Sequence, residues 1–159
     1  MSYQEKRTML SIVSGILFLI IYFSLVSSMG LANNLNVKDW ASFMLKFIGI
    51  SIVVIIILQI LFHILQAISI SIKERTKDEK MIEKKVNSFF ITDEMDKIIE
   101  LKSARVSYAF VGFGFIGSLI SIVLGYNFIF MLNLIFVSFS VGSIIEGFVS
   151  LYYYRKGIR

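Results

Sequence analysis

Apolar residues gather into four long stretches, at residues 9–29, 41–68, 106–124 and 128–152, with the polar residues concentrated between them and at the two ends. Each stretch reaches or nearly reaches the roughly 20 residues that a helix rising ~1.5 Å per residue needs to cross ~30 Å of hydrocarbon. The pattern inside them is not that of a half-buried helix, since the run Ile52–Leu58 has no polar side chain at all. A soluble chain of 159 residues would form one core with polar faces turned outward, so the pattern points to lipid as the solvent. An unpartnered backbone amide in hydrocarbon costs several kcal/mol, which restricts spans to helices or closed barrels, and continuous apolar runs of this length exclude a barrel. The predicted fold class is all-α: a polytopic membrane protein with four transmembrane helices in a single membrane domain, residues 1–159. A cytoplasmic helical hairpin, residues 73–105, extends from it between helices 2 and 3.

Composition supports this reading, with 57% hydrophobic residues and a mean hydropathy of +0.80. Proline is absent, which favours uninterrupted helices. Cysteine is also absent, so a disulfide, a thiol nucleophile and a cysteine metal site are all excluded.

Charge sets the orientation. Lys6 and Arg7 precede the first span, nine Lys or Arg lie between Lys73 and Arg105, and Arg155, Lys156 and Arg159 close the chain. The connection Gly30–Trp40 has only Lys38, and the turn Gly125–Asn127 has none. The excess of basic residues predicts that both termini and the long middle segment are cytoplasmic. Lys46, inside the second span, is placed to snorkel outward. Trp40 and Tyr126 are expected in the outer aromatic belt, and Tyr152, Tyr153 and Tyr154 in the inner one. The first span, longer than a signal-peptide core, is expected to be retained, because the charge pattern works only if it stays. A net charge of +5 raises the question of nucleic acid, but the middle segment sets eight acidic residues against its nine basic ones. Phosphate tracking needs an unopposed basic stripe, so no direct nucleic-acid contact is expected, and the lipid bilayer is the first partner.

Small residues predict how the helices meet. Ser107, Val111, Gly114, Ser118, Ser121 and Gly125 fall on one face of the third span, where they let another backbone come close. Gly142, Glu146 and Val149 form a comparable line on the fourth span, and Ser11, Gly15 and Tyr22 a weaker one on the first. These faces predict a compact four-helix bundle or a dimer of such bundles, with intramolecular packing favoured over a pore lining.

Ionisable residues inside a span call for a partner. Counting outward from the short turn at Tyr126 puts Glu146 level with Val106, near the inner boundary, with Arg105 or Lys102 as its natural partner. Gln59, His63 and Gln66 share a face of the second helix at a similar depth. The expectation is an inner-boundary cluster of Gln59, His63, Gln66, Arg105, Ser107 and Glu146. A hydrogen-bonded clasp is the favoured role, and a proton- or ion-linked function of His63 and Glu146 the alternative.

In the middle segment the second helix is expected to run on as far as Val86, where the charges alternate in sign. Phe89, Phe90 and Ile91 then form an apolar patch. Thr92 is placed to cap the next helix, and Asp93, Glu94 and Asp96 occupy its first turn, where the macrodipole favours anions. Asp93 and Glu94 both come within reach of Lys97. Only Asp96 and Glu100 among the carboxylates share a face at close spacing, so no metal site is expected.

The run Thr92–Tyr108, TDEMDKIIELKSARVSY, resembles the DExDKxIELKxxRxSY signature of a family of small, uncharacterised four-helix membrane proteins of low-GC Gram-positive bacteria. Tyr3–Ser11 (YQEKRTMLS) and Leu151–Gly157 (LYYYRKG) are similar to the termini of that family. Met95 departs from the pattern, where a charged residue is common. Members resemble companions of small helix-turn-helix transcription regulators, which implies that the hairpin docks or restrains such a regulator. The resemblance implies no enzymatic activity.

Three classes of function remain after this reading. The favoured one is an interaction or regulatory subunit whose hairpin binds a cytosolic regulator or another membrane subunit. Its contact candidates are Phe89, Phe90, Ile91, Asp93, Glu94, Asp96, Lys97, Glu100, Lys102 and Arg105. The alternative is a small proton- or ion-linked transporter or channel that uses the His63 and Glu146 cluster. An enzyme is not expected: the chain has one histidine, no HExxH and no phosphate loop, and it implies no cofactor.

Overall fold

Four helices make up the described residues of the computed structural model: α1 Tyr3–Ser28, α2 Val37–Glu74, α3 Glu94–Val123 and α4 Phe128–Lys156. The description covers residues 3–28, 36–74 and 94–157, with side chains in α2 followed as far as residue 69. All four helices are long and apolar enough to cross a membrane. At 38 residues, α2 spans about 57 Å, well beyond the thickness of hydrocarbon. Its continuation to Glu74 and the start of α3 at Glu94 belong to the expected hairpin. Thr92, Asp93 and the patch Phe89, Phe90 and Ile91 lie outside the described residues.

The α3–α4 turn shows how local chemistry stops one helix and starts the next. Gly125 takes φ 85, a left-handed conformation that a side chain would strain. The Tyr126 amide donates back to the Ser121 carbonyl at 3.0 Å, which satisfies an otherwise orphaned group at the helix end. Asn127 then caps α4, its side-chain oxygen accepting from the Phe130 amide at 2.8 Å. Asn127→Ala should lower stability by about 1 kcal/mol, read as a lower thermal unfolding midpoint. An unchanged midpoint would show that the cap contributes nothing.

Chain direction follows from the residues that meet. Gly114 lies against Ser138, Gly117 against Leu134, and Gly142 against Ser107 and Val111. The positions rise along α3 as they fall along α4, so this pair is antiparallel. Gly15 meets Ile144, Ile12 meets Gly147, and Tyr22 hydrogen-bonds Asn133, which makes α1 antiparallel to α4 as well. The Tyr3 ring faces Phe62 at 5.7 Å and the Tyr22 ring faces Phe47 at 5.4 Å, so α2 runs opposite to α1. The helices therefore alternate in direction, with α4 between α3 and α1, and α2 leaning on α1 and α4.

The small-residue face predicted on α3 is the face it turns to α4. Ser103, Ser107, Ser118 and Ser121 are all buried. Three of these hydroxyls do not need a partner helix: Ser103 donates to the Ile99 carbonyl at 2.8 Å, and Ser118 and Ser121 donate to carbonyls one turn back. Serine thus serves as a small residue with its polar group satisfied inside its own helix. A methyl group built at Gly142 would stand 2.9 Å from Val111 and 3.1 Å from the Ser107 hydroxyl, so the two backbones are in contact.

α2 is held differently. Its most apolar stretch contains no buried residue, and its anchors sit near its two ends. One is an aromatic layer in which the rings of Tyr22, Phe43, Phe47 and Phe136 meet. Trp40 joins this layer: only 2% exposed, it packs on Phe43 at 5.7 Å. Tyr126 is more than half exposed and stacks on Phe130.

Candidate functional site

α1 and α3 begin, and α2 and α4 finish, at the same end of the bundle. That end carries Lys6, Arg7, Lys97, Lys102, Arg105, Arg155 and Lys156. A crevice of about 450 Å³ opens there between α1, α2 and α4, with the first turns of α3 at its rim. It exists because α2 touches α1 at Tyr3 and again at Tyr22, and leaves room between these contacts.

α1 supplies Tyr3, Arg7, Ser11 and Ser14, a polar line at helical spacing. α4 contributes Ser143, Glu146, Ser150 and Tyr154, the same kind of line on its facing side. α2 adds Gln59 and His63 together with an apolar wall of Ile55, Leu58 and Phe62. Asp96 and Glu100 come from α3. The charges are unbalanced, with three carboxylates and one guanidinium on the walls.

The rim is tied together. The Tyr3 hydroxyl hydrogen-bonds Nδ1 of His63, and Gln4 Nε2 donates to Asp96 at 3.4 Å. The Tyr154 hydroxyl hydrogen-bonds the Asp96 carboxylate as well, with Glu100 and Arg7 close enough to bear on it electrostatically. Deeper in, Glu146 is partly buried and makes no hydrogen bond or ion pair with any described residue.

Of the cluster expected at the inner boundary, Gln59, His63 and Glu146 line this one crevice. The other three do not. Ser107 is buried in the α3–α4 seam against Gly142. Arg105 is exposed: residues two apart on a helix point about 200° away from each other, so Arg105 and Ser107 cannot face the same neighbour. Gln66 is half-buried but lies almost a turn beyond His63, which already meets Tyr3 at the start of α1. The expected partners of Glu146 are elsewhere too, with Lys102 Nζ 5.7 Å from the centre of the Tyr153 ring.

The partner-contact candidates also divide. Glu94, Lys97, Glu100 and Arg105 are exposed, and Lys102 is partly covered. Asp96 and Glu100 take part in the crevice. Phe89, Phe90, Ile91 and Asp93 lie outside the described residues. Among the described residues, no three His, Asp or Glu side chains converge as a metal site would need.

Tyr3, Gln4, Arg7 and Tyr154 were not anticipated as site residues. The signal for Tyr3 and Arg7 was the spacing Tyr3, Arg7, Ser11 and Ser14, a polar face continuing into the apolar run; it was obscured because α1 starts before that run. Tyr154 carried no signal apart from the inner tyrosine cluster.

An all-α architecture of four helices with the length and apolarity of membrane spans, enclosing a polar crevice at its basic end, defines the class. Residues 4–89 match the model of a family described as protein of unknown function (DUF1418), and the chain belongs to that family. The matched segment includes α1 almost entirely and all of α2, and hence Arg7, Gln59 and His63. The run Thr92–Tyr108 falls beyond it. No curated protein and no solved structure matches the chain.

Proposed function

We propose that the protein is a small integral membrane protein of the bacterial plasma membrane, with both termini and the segment after α2 cytoplasmic, that handles a small ion or solute through its crevice in a proton- or ion-linked manner. One observation carries this reading: Glu146 is a partly buried carboxylate on the wall of a polar crevice, with no hydrogen bond or ion pair to any described residue. A carboxylate within a membrane-length apolar helix and without a protein partner is costly unless it is solvated or neutralised, so such a group marks a place where water, a proton or a cation supplies the missing interaction. The aromatic layer around Tyr22 closes the crevice away from the basic end. α2, anchored near its ends and little buried between them, is the helix best suited to move.

The test is flux in reconstituted vesicles under a membrane potential, followed with an internal pH dye and with monovalent cations. Wild-type protein should conduct, and Glu146→Gln should reduce the rate at least tenfold while eluting and unfolding as the wild type does. Flux no greater than in empty vesicles overturns the proposal, as does a tag near Asp78 that is reachable from the external face.

A regulatory role remains as a second reading, supported by a different feature. Met95, Ile98 and Leu101 are 50%, 46% and 70% exposed on the charged start of α3, an apolar face available to a cytosolic partner. Capture of a helix-turn-helix regulator that is lost when residues 75–93 are deleted would favour this reading.

A further inference from the structure

We propose that the crevice selects a monovalent organic cation with an apolar body, its charge set against Glu146 and its body against Phe62, Ile55 and Leu58. The inference rests on reading the crevice as a solute site and deepens it to a class of ligand.

Three features of the walls lead to this choice. The carboxylates of Asp96, Glu100 and Glu146 outnumber the single guanidinium of Arg7, so the interior repels anions. Asp96 is occupied by Gln4 and Tyr154 and Glu100 is exposed at the rim, which leaves Glu146, deeper in and without a hydrogen bond or ion pair to any described residue, as the carboxylate for a ligand to pair with. The opposite wall is mixed: beside Gln59 and His63, α2 presents Ile55, Leu58 and Phe62, an apolar strip from which a small hydrated ion would gain nothing. An amine or quaternary ammonium joined to a hydrocarbon group matches both sides at once. The rings of Tyr3 and Phe62, 5.7 Å apart, add aromatic faces on which such a cation is stabilised. A multivalent metal ion is disfavoured, because among the described residues no three ligating side chains converge.

The chain has no cysteine, so a single Ser143→Cys variant reports on the crevice without background. Ser143 lines the wall one turn before Glu146. Two water-soluble methanethiosulfonates are compared, one carrying a trimethylammonium and one a sulfonate, with Lys97→Cys on the exposed start of α3 as the reference. The ratio of cation to anion labelling rates at Ser143→Cys should exceed the reference ratio at least tenfold. Benzyltrimethylammonium should slow cation labelling at Ser143→Cys at least fivefold, while neopentylbenzene, its neutral carbon isostere, and equimolar sodium chloride should not. Glu146→Gln in the Ser143→Cys background should bring the ratio back to the reference. The first two measurements keep Glu146 intact, so they decide the matter even if that variant fails to fold.

The failures are distinguishable. If neither reagent labels Ser143→Cys, the crevice is closed to water, and both the solute reading and this inference fall. Labelling without charge preference leaves the solute reading in place and overturns the cation. Protection by the neutral isostere, or equally by sodium, overturns the organic cation in favour of an apolar solute or an inorganic ion.

Discussion

Replacing Gly114 with alanine is expected to lower stability by about 1–3 kcal/mol, the range for overpacking a close-packed contact. A methyl group at this position would overlap both Cβ and Oγ of Ser138. Neither atom can swing aside as the tip of a long side chain could, so α3 and α4 would have to move apart along the most extensive contact in the bundle. Two controls separate this from an effect of glycine replacement in general. Gly112 faces open space, and Gly112→Ala should be neutral or slightly stabilising, because alanine is the better helix former. Ser138→Gly removes the Cβ that Gly114→Ala strikes, so the double variant should recover most of the loss, a coupling expected only of residues in contact. Denaturant unfolding in micelles measures all five proteins, wild type and the single Ser138→Gly variant included. Equal stability of Gly114→Ala and Gly112→Ala would mean that the backbones do not approach at Ser138.

The same seam shows what can be read from residues alone. Four helices of span length are legible because crossing hydrocarbon would demand length and apolarity of each, and the runs around Ile52 and Ile116 meet both. The face α3 turns to α4 is legible because close backbone approach needs small residues, and Ser107, Gly114 and Ser118 recur at that spacing. The neighbour of α2 is not legible: its apolar residues go all the way round, and none of them says which side meets α1. Depth was easier to infer than direction. Glu146, His63 and Gln59 share a level and, in the structure, a crevice. Arg105 shares the level but points away, because counting residues from a turn gives height along a helix and says nothing of the angle around it. The polar line on α1 was legible in principle, and was obscured because Lys6 and Arg7 read as a flank where the helix had in fact already begun.

Truncating Tyr22 is expected to have the largest effect of any single change, about 3–5 kcal/mol for Tyr22→Ala, as for other large buried aromatics. Tyr22 is 1% exposed, with its ring 4.2 Å from that of Phe136 and 5.4 Å from that of Phe47. Three helices meet on this ring, and for α2 it is one of two firm attachments. Its hydroxyl donates to the Asn133 side chain, whose amide in turn donates to the Ile129 carbonyl at 2.7 Å. Tyr22→Phe keeps the ring and removes that donor, leaving an acceptor unsatisfied in an apolar setting. Measured inter-helix hydrogen bonds in membranes put this at about 0.6 kcal/mol, with a ceiling near 1.7. The two variants therefore separate packing from the polar contact, and Tyr22→Ala should cost roughly two to eight times as much as Tyr22→Phe. Gly15, the last α1 residue of the crevice, lies two turns before Tyr22, about 10 Å along the helix. The ring is thus placed to seal the crevice from the far end as well as to hold α2 against the bundle. A Tyr22→Ala protein as stable as wild type would mean that α2 is not anchored at this layer, and the closed end of the crevice would then need another explanation.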